Sequence, residues 1–159
     1  MNTQTLKYMK TFADPRTKRP GTSSGTTSIP MTNSPSRISL PFTGTTPEVI
    51  LDKSSGTAFI LGRCLSANPH EFFKPLVDWA NDYVQDPQQV TVVTINTDYI
   101  NTGSGMAFRQ FLGVLAKVQY TGRKIIIKWY CDKGDEDTCE LIAMIEEIIK
   151  VKIQLEIGG

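Results

Sequence analysis

A chain of 159 residues with 40% apolar side chains has the material for one packed core. A net charge of +1 gives no bulk attraction to nucleic acid or to a membrane surface. Cys64, Cys131 and Cys139 are odd in number and show no paired spacing, and His70 is the 1 histidine, so neither a disulfide framework nor a zinc site is expected. Reduced thiols fit a cytoplasmic protein. No run approaches the ~20 apolar residues of a membrane span, and no apolar segment follows the N-terminal charges as in a secretory signal.

Residues 1–44 read as a disordered, basic, Ser/Thr/Pro-rich tail. Residues 1–40 hold Lys7, Lys10, Arg16, Lys18, Arg19 and Arg37 against Asp14 alone, a local charge of +5 that leaves −4 for the rest. Pro15, Pro20, Pro30, Pro35 and Pro41 interrupt regular structure. Few apolar residues are present to offset the entropy of ordering, although Tyr8, Met9 and Phe12 form a short amphipathic piece.

The domain is expected over 45–159. Glu48-Val49-Ile50-Leu51 and Thr57-Ala58-Phe59-Ile60-Leu61 predict a hairpin turning at Gly56. Asn68 is an N-cap, with Pro69 at the first helical position. Phe72, Leu76, Trp79, Ala80 and Tyr83 then follow at helical spacing, with Pro75 awkwardly placed among them. Residues 90–96 predict a buried strand, about 103–120 a helix closed by a left-handed Gly122, and 124–130 another buried strand. Asp135, Glu136 and Asp137 open a last helix, where its dipole favours them. Residues 151–157 alternate as an edge strand. The order ββαβαβαβ implies an α/β sandwich: a mixed five-stranded sheet with parallel crossovers and three helices.

The stretch Asp98-Tyr99-Ile100-Asn101-Thr102-Gly103-Ser104-Gly105 joins the carboxyl end of a central strand to the first turn of a helix. In open α/β sheets this is a usual place for a site. Thr102 and Ser104 there could cap the helix, bind an anion or accept a phosphate. No other constellation carries chemistry. There is no Gly-x-Ser-x-Gly elbow. The 101–105 loop lacks the Lys-Ser/Thr end of a P-loop and the third glycine and distal acid of a dinucleotide fingerprint. Asp132, Asp135 and Asp137 lack EF-hand spacing. No catalytic residue, metal or cofactor is therefore expected.

Thr46-Pro47-Glu48-Val49, Gly62-Arg63, Asn68, Glu71-Phe72-Phe73-Lys74-Pro75, Trp79, Tyr83, Tyr99-Ile100-Asn101-Thr102-Gly103-Ser104, Trp129-Tyr130 and Asp135-Glu136-Asp137 occur in this order. Together they resemble the SiaC-type regulatory phosphoproteins of bacteria, whose domain is similar to the STAS domains of anti-sigma-factor antagonists. The resemblance implies that a dedicated serine/threonine kinase phosphorylates Thr102 and a PP2C-type phosphatase reverses it. It also implies that the unmodified form activates a diguanylate cyclase in cyclic-di-GMP signalling and biofilm regulation. Gly103 replaces the first Ser of the family's Asn-Thr-Ser-Ser motif, Met106 stands where the family usually has Lys, and Cys64-Leu65-Ser66-Ala67 replaces its Ser-Tyr-Pro-Glu. Asn101, Gly103, Ser104, Met106, Arg63 and Asn68 are the expected partner-binding or loop-supporting residues around Thr102.

The expectation is a non-enzymatic, phosphorylation-switched partner protein. Two alternatives stand beside it: a STAS-like anti-sigma-factor antagonist, and a small enzyme or nucleotide-binding domain using the 101–105 loop.

Overall fold

The computed structural model describes residues 34–158; the tail expectation for residues 1–33 lies outside the described residues. In chain order the elements are β1 (Arg37–Leu40), β2 (Glu48–Asp52), β3 (Thr57–Cys64), α1 (Pro69–Tyr83), β4 (Val90–Ile100), α2 (Thr102–Leu115) with a 3₁₀ extension (Ala116–Thr121), β5 (Lys124–Asp132), α3 (Glu136–Ile149) and β6 (Ile153–Gly158). They form one α/β sheet with the strands side by side in sequence order. The β1–β2 and β2–β3 pairs are antiparallel; β3 to β6 are parallel.

The sheet has six strands, not the five expected. The additional strand, β1, falls inside the stretch read as tail. Pro35 and Pro41 bracket Ser36-Arg37-Ile38-Ser39-Leu40, so five residues between prolines carried little strand signal. The register supplies what propensity did not: Ile38 pairs with Leu51 and is buried, and Arg37 Nη1 meets Asp52 Oδ2 at 3.0 Å. Trp79 Nε1 donates to the Ser36 carbonyl at 3.4 Å, fastening this edge to α1.

The hairpin turns at Gly56 with φ 67°, and Gly122 closes the 3₁₀ turn with φ 81°, the left-handed conformation expected of each. Helix α1 starts on Asn68 and continues through Pro75 to Tyr83. Strand β4 is longer than its apolar run: Thr97-Asp98-Tyr99-Ile100 extends it to the start of α2.

Parallel neighbours in sequence order, joined by right-handed crossovers, place every crossover on one side of the sheet. The packing agrees. Val49, Leu51, Ala58, Ile60, Val93, Ile95, Ile127, Trp129 and Ile153 share one core with Phe73, Leu76 and Trp79 of α1, Phe108, Phe111 and Leu112 of α2, and Ile142 and Ile145 of α3. Phe108 bridges the layers, with its ring centroid 5.0 Å from Phe73 and 5.2 Å from Trp129. Two polar groups inside this core are matched: Trp129 Nε1 donates to Thr97 Oγ1 at 3.1 Å, and Tyr83 Oη lies 2.7 Å from Thr91 Oγ1. Edge strand β6 buries Ile153 of its apolar series, while Leu155 and Ile157 are exposed, and among the described residues no further strand adjoins it.

Candidate functional site

The site lies where β3 and β4 reach their carboxyl ends and α1 and α2 begin. Asn101, and neither Thr102 nor Ser104, caps α2: its Oδ1 accepts from the Ser104 N–H at 2.8 Å. Asn101 fits because its second function is also used, Nδ2 donating to the Ser66 carbonyl at 3.1 Å while its own N–H donates to the Cys64 carbonyl at 3.0 Å. Across the loop, Asn68 caps α1. Its Oδ1 accepts from the Glu71 N–H at 3.3 Å and its Nδ2 donates to Glu71 Oε2 at 2.8 Å, a reciprocal cap. The Asn68 N–H donates to Ser66 Oγ at 3.1 Å, so Ser66 ties the starts of both helices together. The loop Cys64-Leu65-Ser66-Ala67 is thus the seam between the two helix ends.

Thr102 is the first residue of α2 and is exposed; its hydroxyl has no hydrogen-bond partner among the described residues. Gly103 is exposed beside it, and a Cβ there would lie 3.0 Å from Pro69 Cγ, so glycine lets the two helix starts approach. Ser104 and Gly105 are buried. The Ser104 hydroxyl is unpaired among the described residues, and a Cβ at Gly105 would meet Leu141 of α3 at 3.2 Å. These glycines serve helix packing. With Ser104 and Gly105 turned inside, the loop offers only Thr102 and Gly103 outward, which is no cradle for a nucleotide's phosphates.

Met106 lies one turn beyond Thr102 on the same helix face and is 58% exposed. Tyr99, on the final stretch of β4, is also 58% exposed. It pairs in register with Arg63, which is exposed and forms no ion pair among the described residues. The register shifts between Gly62 and Arg63, where Thr97 and Tyr99 are the partners and Asp98 is the extra residue; the bulge lies on β4 and re-aims Tyr99, while β3 keeps its alternation with Cys64 in the core. Phe42 packs over Gly62: a Cβ there would meet its ring at 2.9 Å. The sequence-predicted residues Arg63, Asn68, Asn101, Thr102, Gly103, Ser104 and Met106 therefore lie on the adjoining ends of β3, α1 and α2. Tyr99 belongs with them and was not singled out as a site residue. Its signal was the strand-favouring pair Tyr99-Ile100 directly ahead of Asn101, which carries β4 past Asn96 and Asp98 to the cap.

No nucleophile is activated here. Burial, and next the charge of Asp98, push the Cys64 thiol up to about 12, so it stays protonated at neutral pH. Cys131 is likewise pushed up to about 12, first by burial and then by Cys139, whose sulfur lies 3.8 Å away. Among the described residues no cluster of His, Cys, Asp and Glu could hold a metal ion, and no helix is long and apolar enough to cross a membrane.

The SiaC family of regulatory phosphoproteins matches residues 40–157. The chain belongs to this family. A protein of Pseudomonas aeruginosa strain UCBPP-PA14 is 27% identical over 112 residues, covering 70% of this chain and 89% of that protein. The fold is also that of solved SiaC structures from Pseudomonas aeruginosa. Apo-SiaC aligns with a TM-score of 0.63 and 22% identity over 78% of this chain and 99% of its own. The crystal structure of the diguanylate cyclase SiaD in complex with its activator SiaC aligns with a TM-score of 0.68 and 24% identity, over 76% of this chain and 99% of the matched one. The match to the family carries the regulatory role, and the solved structures carry the fold.

Proposed function

We propose that this SiaC-family chain is a cytoplasmic signalling protein without catalytic activity of its own. In this reading its unmodified form binds and activates a diguanylate cyclase, as the SiaC described as activator of SiaD does. A serine/threonine kinase switches it off by phosphorylating Thr102, and a PP2C-type phosphatase restores it. The observation that carries the reading is the placement of Thr102. It is exposed, unbonded among the described residues, at the first position of a helix whose first turn has no acid, between the exposed Tyr99 and Met106.

The physics favours a switch that leaves the fold alone. A phosphate on Thr102 adds about −1.5 to −2 charge at the positive end of the α2 dipole, so it is held without unfolding the helix. On a docking rim built of an aromatic ring and a thioether, the same dianion has no counter-charge in Met106, where a lysine would have supplied one. A partner must desolvate it or stay away. The expected loss is roughly a hundredfold or more in affinity for the cyclase, with unfolding free energy changed by under about 1 kcal/mol. Titrating a diguanylate cyclase with the unmodified and Thr102-phosphorylated protein, alongside thermal unfolding of both, tests this. Equal affinities would sink the switch, as would weaker binding that merely tracks unfolding. Thr102→Ala should bind like the unmodified protein and no longer respond to the kinase.

A further inference from the structure

Strand β5 and helix α3 meet through two thiols that the Thr102 site does not use. Alternation along β5 puts Cys131 on the same face as the core residues Ile127 and Trp129, the face that the helices cover. Cys139 stands near the start of α3, three residues ahead of the core residue Ile142. The two sulfurs lie 3.8 Å apart, already in contact. The third cysteine, Cys64, is buried at the end of β3 and takes no part in this pair. Access differs between the paired thiols. Cys131 is buried, whereas Cys139 is partly exposed and lines an open recess with Gly134, Asp135, Glu136 and Glu140. The turn between them has a free hinge: Gly134 sits at φ 87°, and a Cβ there would meet nothing within 4 Å. The start of α3 can therefore draw toward β5 without a clash in the turn.

We propose that Cys131 and Cys139 are a reversible oxidation site: hydrogen peroxide joins them in a disulfide, with Cys139 reacting first. The recess selects the oxidant by charge. Asp135, Glu136 and Glu140 repel an anionic disulfide such as oxidised glutathione, while peroxide is small and neutral. In the first step the Cys139 sulfur attacks one peroxide oxygen and the O–O bond breaks. Water leaves, and Cys139 becomes a sulfenic acid. In the second step the Cys131 sulfur attacks the Cys139 sulfur and the S–O bond breaks. The hydroxyl leaves as water with the Cys131 proton, so two thiols lose two electrons and one peroxide becomes two waters. Burial, and next the contact with Cys139, hold Cys131 protonated, which suits a sulfur that reacts only once its neighbour is oxidised. The bond needs the sulfurs at about 2.0 Å, a closure that side-chain rotation at Cys139 and the Gly134 hinge supply. In a reducing compartment the dithiol is the resting form and the disulfide is transient. The bond fastens α3 to the end of β5 and is independent of the Thr102 switch.

The test treats the full-length protein with a stoichiometric amount of hydrogen peroxide and then blocks the remaining thiols in denaturant. Free thiols should fall from three to one, the survivor being Cys64. Trypsin cuts after Lys133, between the two cysteines, so the peptide holding Cys131 should appear joined to the one holding Cys139 and separate on reduction. The oxidised protein should unfold at a higher temperature than the reduced one, because the link shortens the unfolded chain's reach. Cys131→Ser should stop Cys139 at the sulfenic acid, read as a dimedone adduct several-fold stronger than in the wild type. Cys139→Ser should leave Cys131 a thiol. The wild-type peptide map decides the link without either variant. Three thiols surviving the treatment overturn the proposal, as does a link between two chains, seen as a dimer on a non-reducing gel. Equal dimedone labelling with and without Cys131 overturns it too. So does a link that lowers the unfolding temperature, since the sulfurs would then be joined outside the native geometry.

Discussion

Helices α2 and α3 start with the same capping hydrogen bond and different charge. Asn101 and Asp135 occupy the cap, and each accepts from the N–H three residues on, at 2.8 Å from Ser104 and 3.0 Å from Thr138. Ser104 and Thr138 are both buried. Between cap and third residue, however, α3 carries Glu136 and Asp137, while α2 carries Thr102 and Gly103 and no acid. The α3 dipole is already neutralised by its own side chains, and a further anion there would be repelled. The α2 dipole is open to an anion supplied from outside. Cap geometry alone therefore does not mark a site; the charge left uncompensated in the first turn does.

The largest effect on this comparison should come from the caps themselves. Asn101→Ala removes the cap and the bond to the Ser66 carbonyl, and should cost about 2 kcal/mol, one part for each interaction. Asp135→Ala removes a cap and a charge near the dipole, and should cost about 1 kcal/mol. Urea unfolding in low and high salt separates them. The α3 loss should shrink in high salt because part of it is a screened charge, while the α2 loss should persist. If both losses respond alike to salt, the two starts do not differ electrostatically. Replacing Glu136 and Asp137 together by Gln and Asn should cost about 1 kcal/mol, again salt-sensitive.

What the sequence showed of these regions follows from how local each determinant is. The α3 start was legible because its acids announce it, and Asn68 with Pro69 announced α1 equally plainly. The hairpin at Gly56 and the parallel order of β3 to β6 follow from apolar runs separated by helices. The α2 start was legible as a place but not in its roles. That Asn101 caps, that the Thr102 hydroxyl is exposed and that the Ser104 hydroxyl is buried depends on Pro69 and Leu141, far away in the chain, and on a Ser66 carbonyl that no pattern reveals. Strand β1 was missed for the same reason. Ile38 is a strand residue because Leu51 lies beside it, not because its neighbours favour a strand.

The smallest expected effect is the most direct probe of the contrast: giving α2 the charge that α3 has. Gly103→Asp places a carboxylate at the second helical position, where α3 has Asp137. Two terms act. The added Cβ stands 3.0 Å from Pro69 Cγ, the pucker atom of a half-exposed ring, so the crowding is met by a small ring shift. The carboxylate interacts with the unneutralised dipole for about 0.5 kcal/mol. Gly103→Asn carries nearly the same shape against Pro69 without the charge, so the difference between the two variants isolates the electrostatic part. The Asp variant should be the more stable by about 0.5 kcal/mol at low salt, and the gap should close in high salt. In the binding assay the Asp variant should hold a diguanylate cyclase less tightly than the Asn variant, though by far less than phosphorylated Thr102 does, because one charge replaces nearly two. Equal stabilities at low salt would show that the α2 start is not the open dipole inferred from its first turn. Equal affinities, with the stabilities split as expected, would instead place the partner's contact away from residue 103 and confine the switch to Thr102 itself.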